Sequence, residues 1–130
     1  VLIESGEAGD LLDYDPQLWH AHVGAYLAKR DYGVEDPEVL DAIRWHTSGR
    51  VGMTTLDKVV CLADYMEPGR DFPGVDRIRE EAGRSLDRAL VLGFDSTISF
   101  LLAKGRPIYP LTVMARNDLI RLLDKEADNG

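Results

Sequence analysis

Apolar positions recur along this chain at three- and four-residue steps and are interrupted by proline and glycine, the mark of short amphipathic helices laid end to end. Asp15-Pro16 places a capping side chain before a proline suited to the first helical position. From there Leu18, Trp19, Val23, Tyr26 and Leu27 carry an inward stripe to about Asp31 and Gly33. Asp36-Pro37 repeats the start signal, with Val39, Leu40 and Ile43 as the stripe and Ser48-Gly49 as the stop. Thr54 or Thr55 caps a third helix, whose stripe of Leu56, Val59, Val60 and Ala63 ends before Pro68-Gly69. After the breaker-rich loop 67–74, a polar helix over 75–86 turns Ile78 and Ala82 inward. A longer apolar helix over 87–103 buries Leu90, Phe94, Ile98, Leu101 and Leu102, and a last one covers 111–123. Residues 124–130 are expected to fray. No segment sustains the alternation of a strand. The expected fold is all-α, a compact bundle of about six helices forming one domain over 1–130.

Composition narrows the function. The 23 acidic side chains outnumber the 15 basic ones, for a net charge of -8, which disfavours polymeric nucleic acid or an anionic membrane as partner. A small phosphate-bearing ligand remains compatible, because a metal ion or a few arginines can supply local positive charge. The single Cys61 excludes an internal disulfide framework and reads as a small core residue in a reducing compartment. The opening VLIESGEAGD has no basic or apolar leader pattern, so a cytoplasmic location is expected. It also lacks Met, and Val1 reads as a cut edge.

Candidate chemistry falls on three consecutive helices. His20 precedes Val23 by three residues, His46 follows Ile43 by three, and Asp64 follows Val60 by four, so each extends a predicted inward stripe. A buried carboxylate needs a cation or strong donors, and two imidazoles with a carboxylate could share a divalent metal. Plainer readings stand beside this one. A lone inward histidine is more often a hydrogen-bonded core residue, and Asp64 could pair with Arg44, Lys58 or Arg70. His22, two residues from His20, is expected at the surface.

The segments WHAHVGAYLAKRDYG, AIRWHTSGRVGM and LDKVVCLADYMEPGRDFPGVDRIR, followed by Arg116-Asn117, resemble the bacterial HD-domain phosphohydrolases that cleave diadenosine tetraphosphate symmetrically into two ADP. The resemblance runs from about Trp19 to Asn117. It implies that His20 and His46 are metal ligands of a binuclear site, that Asp64 is its last aspartate ligand, and that the metal is iron. In such a site two metal ions activate the nucleophile and neutralise charge on the attacked phosphorus. Thr47, Lys58 and Arg70 are the candidate phosphate contacts by charge and proximity. Surface charge is an equal alternative for Lys58 and Arg70, and helix capping for Thr47. Glu67 either supports the site or pairs with Arg70; Tyr65 and Phe72 could stack on a base, though packing is the simpler role.

One departure stands out. The family's pattern also needs a histidine on its first helix and a His-Asp pair on its second, and this chain has no His-Asp dipeptide and no histidine before His20. The expectation is therefore an HD-type domain lacking its first two helices. Its remaining ligands would hold one weakly bound metal, and an uncovered apolar face or a contact with a second copy would follow. Three functions stay open: diadenosine tetraphosphate hydrolysis, HD-type hydrolysis of another nucleotide, and a non-catalytic nucleotide-binding helical domain.

Overall fold

The computed structural model describes residues 11, 13, 14 and 16–129. Six helices follow one another: α1 (Pro16–Tyr32), α2 (Pro37–Arg44), α3 (Thr55–Met66), α4 (Val75–Ala82), α5 (Leu86–Ala103) and α6 (Pro110–Asn129). No strand occurs among the described residues, and no described helix is long and apolar enough to cross a membrane.

Local signals set most helix boundaries. Pro37 opens α2 behind Asp36, whose side chain accepts from the Glu38 amide at 2.9 Å. Thr54 and Asp57 form a reciprocal capping box at the start of α3, the hydroxyl accepting from the Asp57 amide at 3.1 Å and the carboxylate from the Thr54 amide at 3.0 Å. Ser85 caps α5 by accepting from the Arg88 amide. The Asp15 cap expected for α1 lies outside the described residues. Three boundaries differ from expectation: α2 ends at Arg44, before the Ser48-Gly49 stop; α4 ends at Ala82, capped by Gly83, short of the expected 86; and α6 continues through Asn129, past the expected end at Leu123. Residues 124–128 are exposed, so this last stretch is helical without an apolar stripe to announce it.

The core lies between α3, α4, α5 and α6, where Met53, Cys61, Leu62, Ile78, Ala89, Leu90, Phe94, Ala115 and Leu119 form one buried cluster. Cys61 is fully enclosed, and burial pushes its thiol well above the ordinary range. Tyr65 and Phe72 pack against the same cluster, which gives both the packing role. Tyr65 meets Phe94 edge-on, and its hydroxyl pairs with the Thr97 hydroxyl at 2.8 Å. Helix α1 packs on α2, and α2 on α3, so these two helices form a layer beside the core.

The buried faces of α1 and α3 are rotated from the predicted stripes. In α1 the enclosed residues are Ala21, His22 and Ala25; in α3 they are Asp57, Cys61 and Leu62, while Val59 is 47% exposed. Val39 on α2 and Leu102 on α5 are likewise exposed. Small side chains on α1 let the helices approach closely, and a Cβ on Gly24 would lie 3.6 Å from the Ile43 side chain.

After α2 the chain turns sharply over Trp45–Gly49. Gly49 has φ +71°, and a Cβ there would stand 2.6 Å from Phe94 Cζ and 3.0 Å from Ala115 Cβ. Gly52 also has positive φ but faces open space. Gly52→Ala should therefore cost about 1–2 kcal/mol from the left-handed backbone alone. Gly49→Ala should cost roughly 1–3 kcal/mol more from overpacking. Urea denaturation of the two variants checks the difference, and equal losses would contradict the close approach.

Candidate functional site

The structure brings two of the predicted ligands together. His20 on α1 and His46, just beyond α2, face each other through their Nε2 atoms at 3.3 Å, with ring planes 69° apart. His46 Nδ1 lies 2.6 Å from the Ile43 carbonyl, which accepts its proton. That bond places the His46 proton on Nδ1 and leaves Nε2 with a free lone pair. In the metal-free pair His20 must then be the donor, through its Nε2–H.

This arrangement suits a shared metal in two respects. Two nitrogens about 2.0–2.1 Å from one ion, at ordinary angles, are themselves about 2.8–3.4 Å apart, and 3.3 Å falls in that span. A metal-binding imidazole also usually donates its other N–H to a carbonyl or carboxylate, as His46 does. Both rings could present lone pairs to one ion once His20 carries its proton on Nδ1.

Asp64 does not complete the set. Its carboxylate is 44% exposed, not buried as the stripe implied, and its Oδ2 accepts from Arg70 Nη2 at 3.1 Å. The rotation of α3 toward Cys61 and Leu62 explains the exposure. Among the described residues, no group of three His, Cys, Asp or Glu side chains is gathered as a metal site. The described residues thus fit two imidazole ligands and no third.

The phosphate candidates separate clearly. Thr47 Oγ1, on the residue that follows His46, is buried and has no hydrogen-bond partner among the described residues. Arg70 stands half-exposed on its loop against Asp64, the pairing weighed as an alternative for that carboxylate. Lys58 is held in a part-buried ion pair with Asp87, 2.8 Å away, which ties α3 to the first turn of α5. Glu67 receives no ion pair from Arg70; its backbone carbonyl instead accepts the Arg70 amide at 2.9 Å.

His20 and His22 exchange the positions expected of them. His20 is exposed, whereas His22 is only 2% exposed and packs edge-on against Trp45 with ring centroids 4.9 Å apart. The inward face of α1 passes through Ala21, His22 and Ala25, which moves His20 to the rim, where it can reach His46.

Sequence reasoning missed the group that holds the His46 turn. Arg50 donates to Asp57 Oδ2 at 2.8 Å and reaches Asp41 at 3.4 Å, and Asp41 also pairs with Arg44. Asp57 is 1% exposed. The Gly52 amide donates to Asp118 of α6 at 2.9 Å. The only signal in the sequence was the Thr-x-x-Asp capping pattern, which points to a helix start and not to an ion pair with Arg50.

Residues 3–69 match the HD domain family. The chain belongs to the HD domain family. Over 110 residues this HD domain is 53% identical to the symmetrical bis(5'-nucleosyl)-tetraphosphatase of Bacillus subtilis, a match covering 85% of this chain and 59% of that protein. The protein of the same name from Halalkalibacterium halodurans is 47% identical over 111 residues, with 85% and 59% covered. A crystal structure of a predicted HD superfamily hydrolase involved in NAD metabolism from Clostridium acetobutylicum matches with a TM-score of 0.76 and 46% identity, over 78% of this chain and 54% of that one. The chain thus spans 59% of the length of these two curated relatives. The all-α HD-type fold expected from the motifs is borne out.

The burial pattern makes a direct prediction. His22→Ala should lose about 2–3 kcal/mol of stability, as for other large-to-small core changes, while His20→Ala at the rim should stay within about 0.5 kcal/mol of the wild type. Chemical denaturation followed by circular dichroism distinguishes them, and the opposite order would contradict the assignment of the two rings.

Proposed function

We propose that this HD domain carries part of the site of a metal-dependent phosphohydrolase that splits diadenosine tetraphosphate symmetrically into two ADP. The observation that carries the reading is the facing Nε2 pair of His20 and His46, with His46 Nδ1 on the Ile43 carbonyl. The relatives named as symmetrical tetraphosphatases supply the substrate and bond class. HD domain hydrolases generally use divalent metals, and iron is the metal we propose, on the family resemblance. His20 and His46 would hold it; Asp64 is the third ligand that the family resemblance implies, although it is not gathered with the two histidines among the described residues. A bound divalent ion supplies charge neutralisation at the phosphate and lowers the pKa of water.

The protein's own residues then have distinct tasks. The His46–Ile43 bond keeps one imidazole lone pair aimed outward. Arg70 can exchange Asp64 for a phosphate oxygen, since a guanidinium recognises either anion through the same planar fork. Thr47, the residue after His46, offers a hydroxyl without a hydrogen-bond partner among the described residues. Lys58 is read as structural, because Asp87 already neutralises it. The acidic surface suits a small, metal-neutralised nucleotide in the cytoplasm and disfavours polymeric nucleic acid and membranes as partners.

A second reading, a nucleotide-binding domain without catalysis, is favoured by the lack of a third gathered ligand among the described residues. One assay separates the two. With added ferrous, manganous or cobaltous ion, the purified chain should release ADP from diadenosine tetraphosphate, and His46→Ala should lower the rate by about 100-fold or more. Nucleotide binding without ADP release under any of these metals would select the second reading.

A further inference from the structure

The loop after α3 carries Arg70, and it is rich in residues that break helices: EPGRDFPG. Such a segment would ordinarily leave an arginine side chain loosely placed. Here one side chain from a different helix spans the loop. Arg79, on α4, donates from Nε to the Met66 carbonyl at 3.3 Å and from Nη2 to the Glu67 carbonyl at 3.1 Å and the Arg70 carbonyl at 2.9 Å. The first two carbonyls belong to the last residue of α3 and its C-cap, which have lost their helical partners. The third belongs to Arg70 itself. Arg70 in turn closes the turn through its amide and sets its guanidinium on Asp64.

We infer that Arg79 is the positioning residue for Arg70 and Asp64, fixing the end of α3 and the following loop so that the Arg70 guanidinium is held on Asp64, ready to be exchanged onto a phosphate. This rests on the phosphohydrolase reading above and adds a residue to it. The physical basis is preorganisation: an anion-binding arginine on a loop already held costs less ordering on binding than one on a free loop. Only arginine can do this at position 79. Its fork carries five donors in a plane, enough for three separated carbonyls, whereas a lysine ammonium is a single point. The ion pair from Arg79 to Asp76 is a minor contact, at 3.5 Å to a carboxylate that is 97% exposed.

The test is a double-mutant cycle on ADP binding, measured by calorimetry on the full chain in the presence of manganese. Arg79→Ala and Arg70→Ala should each weaken ADP by roughly ten-fold, and the double variant should be no weaker than Arg70→Ala alone. Arg79→Lys should fail to restore the affinity while keeping the charge; it also carries the comparison if Arg79→Ala does not fold. A merely structural arginine predicts lower thermal stability with unchanged ADP affinity in the folded protein, or losses that multiply in the double variant. Either result would overturn the inference while leaving the function intact, provided Arg70→Ala still weakens ADP. A wild-type chain that does not bind ADP would overturn both.

Discussion

The path of the chain after α2 is set by one close approach. Gly49 lies against the Phe94 ring and Ala115 with no room for a side chain, so α5 and α6 dictate where the turn bearing His46 can sit. The placement of His46 follows from that contact. The turn is held on its other side by Arg50, bridging Asp41 of α2 and Asp57 at the start of α3, and by Asp118 under Gly52. With its turn fixed from both sides, His46 can direct Nδ1 to the Ile43 carbonyl and Nε2 toward α1. A buried carboxylate such as Asp57 is a costly group to leave without its cation, so the clamp resists disassembly as a unit.

Helix α1 is placed more simply. It rests on α2, with Ala21 and Ala25 buried and the His22 ring wedged on Trp45. The small residues bring the two backbones near, and that nearness lets His20 at the rim reach across to His46 at 3.3 Å. The site is thus a seam between a side layer and a rigid turn. Asp64 stands apart on α3 with Arg70 as its partner, and Arg79 holds the loop that makes this pairing.

Much of this was legible in the sequence because helix ends are local events. Pro37 behind Asp36, Thr54 with Asp57, and Ser85 each announce a boundary within four residues of chain. The motif residues His20 and His46 were also found, and the structure pairs them. Helix faces were harder. A stripe drawn through large apolar residues rotated α1 and α3, because their buried faces include alanines, a histidine and an aspartate whose partners, Trp45 and Arg50, lie outside those helices. The same error put His22 at the surface and Asp64 inside. The end of α6 was missed for the complementary reason: residues 124–128 are solvated all round and have no stripe to read. Arg79 gave no sign at all, since its partners are backbone carbonyls.

The central claim is that His46 is a preset ligand, protonated on Nδ1 with Nε2 free for a shared ion. Long-range nitrogen-15 spectra of the imidazole rings read this tautomer directly. The account predicts an Nδ1-protonated His46 before metal is added, and a joint shift of the Nε2 resonances of His20 and His46 when a diamagnetic divalent ion such as zinc is titrated. A His46 protonated on Nε2, or a zinc titration that moves neither Nε2 resonance, would contradict it.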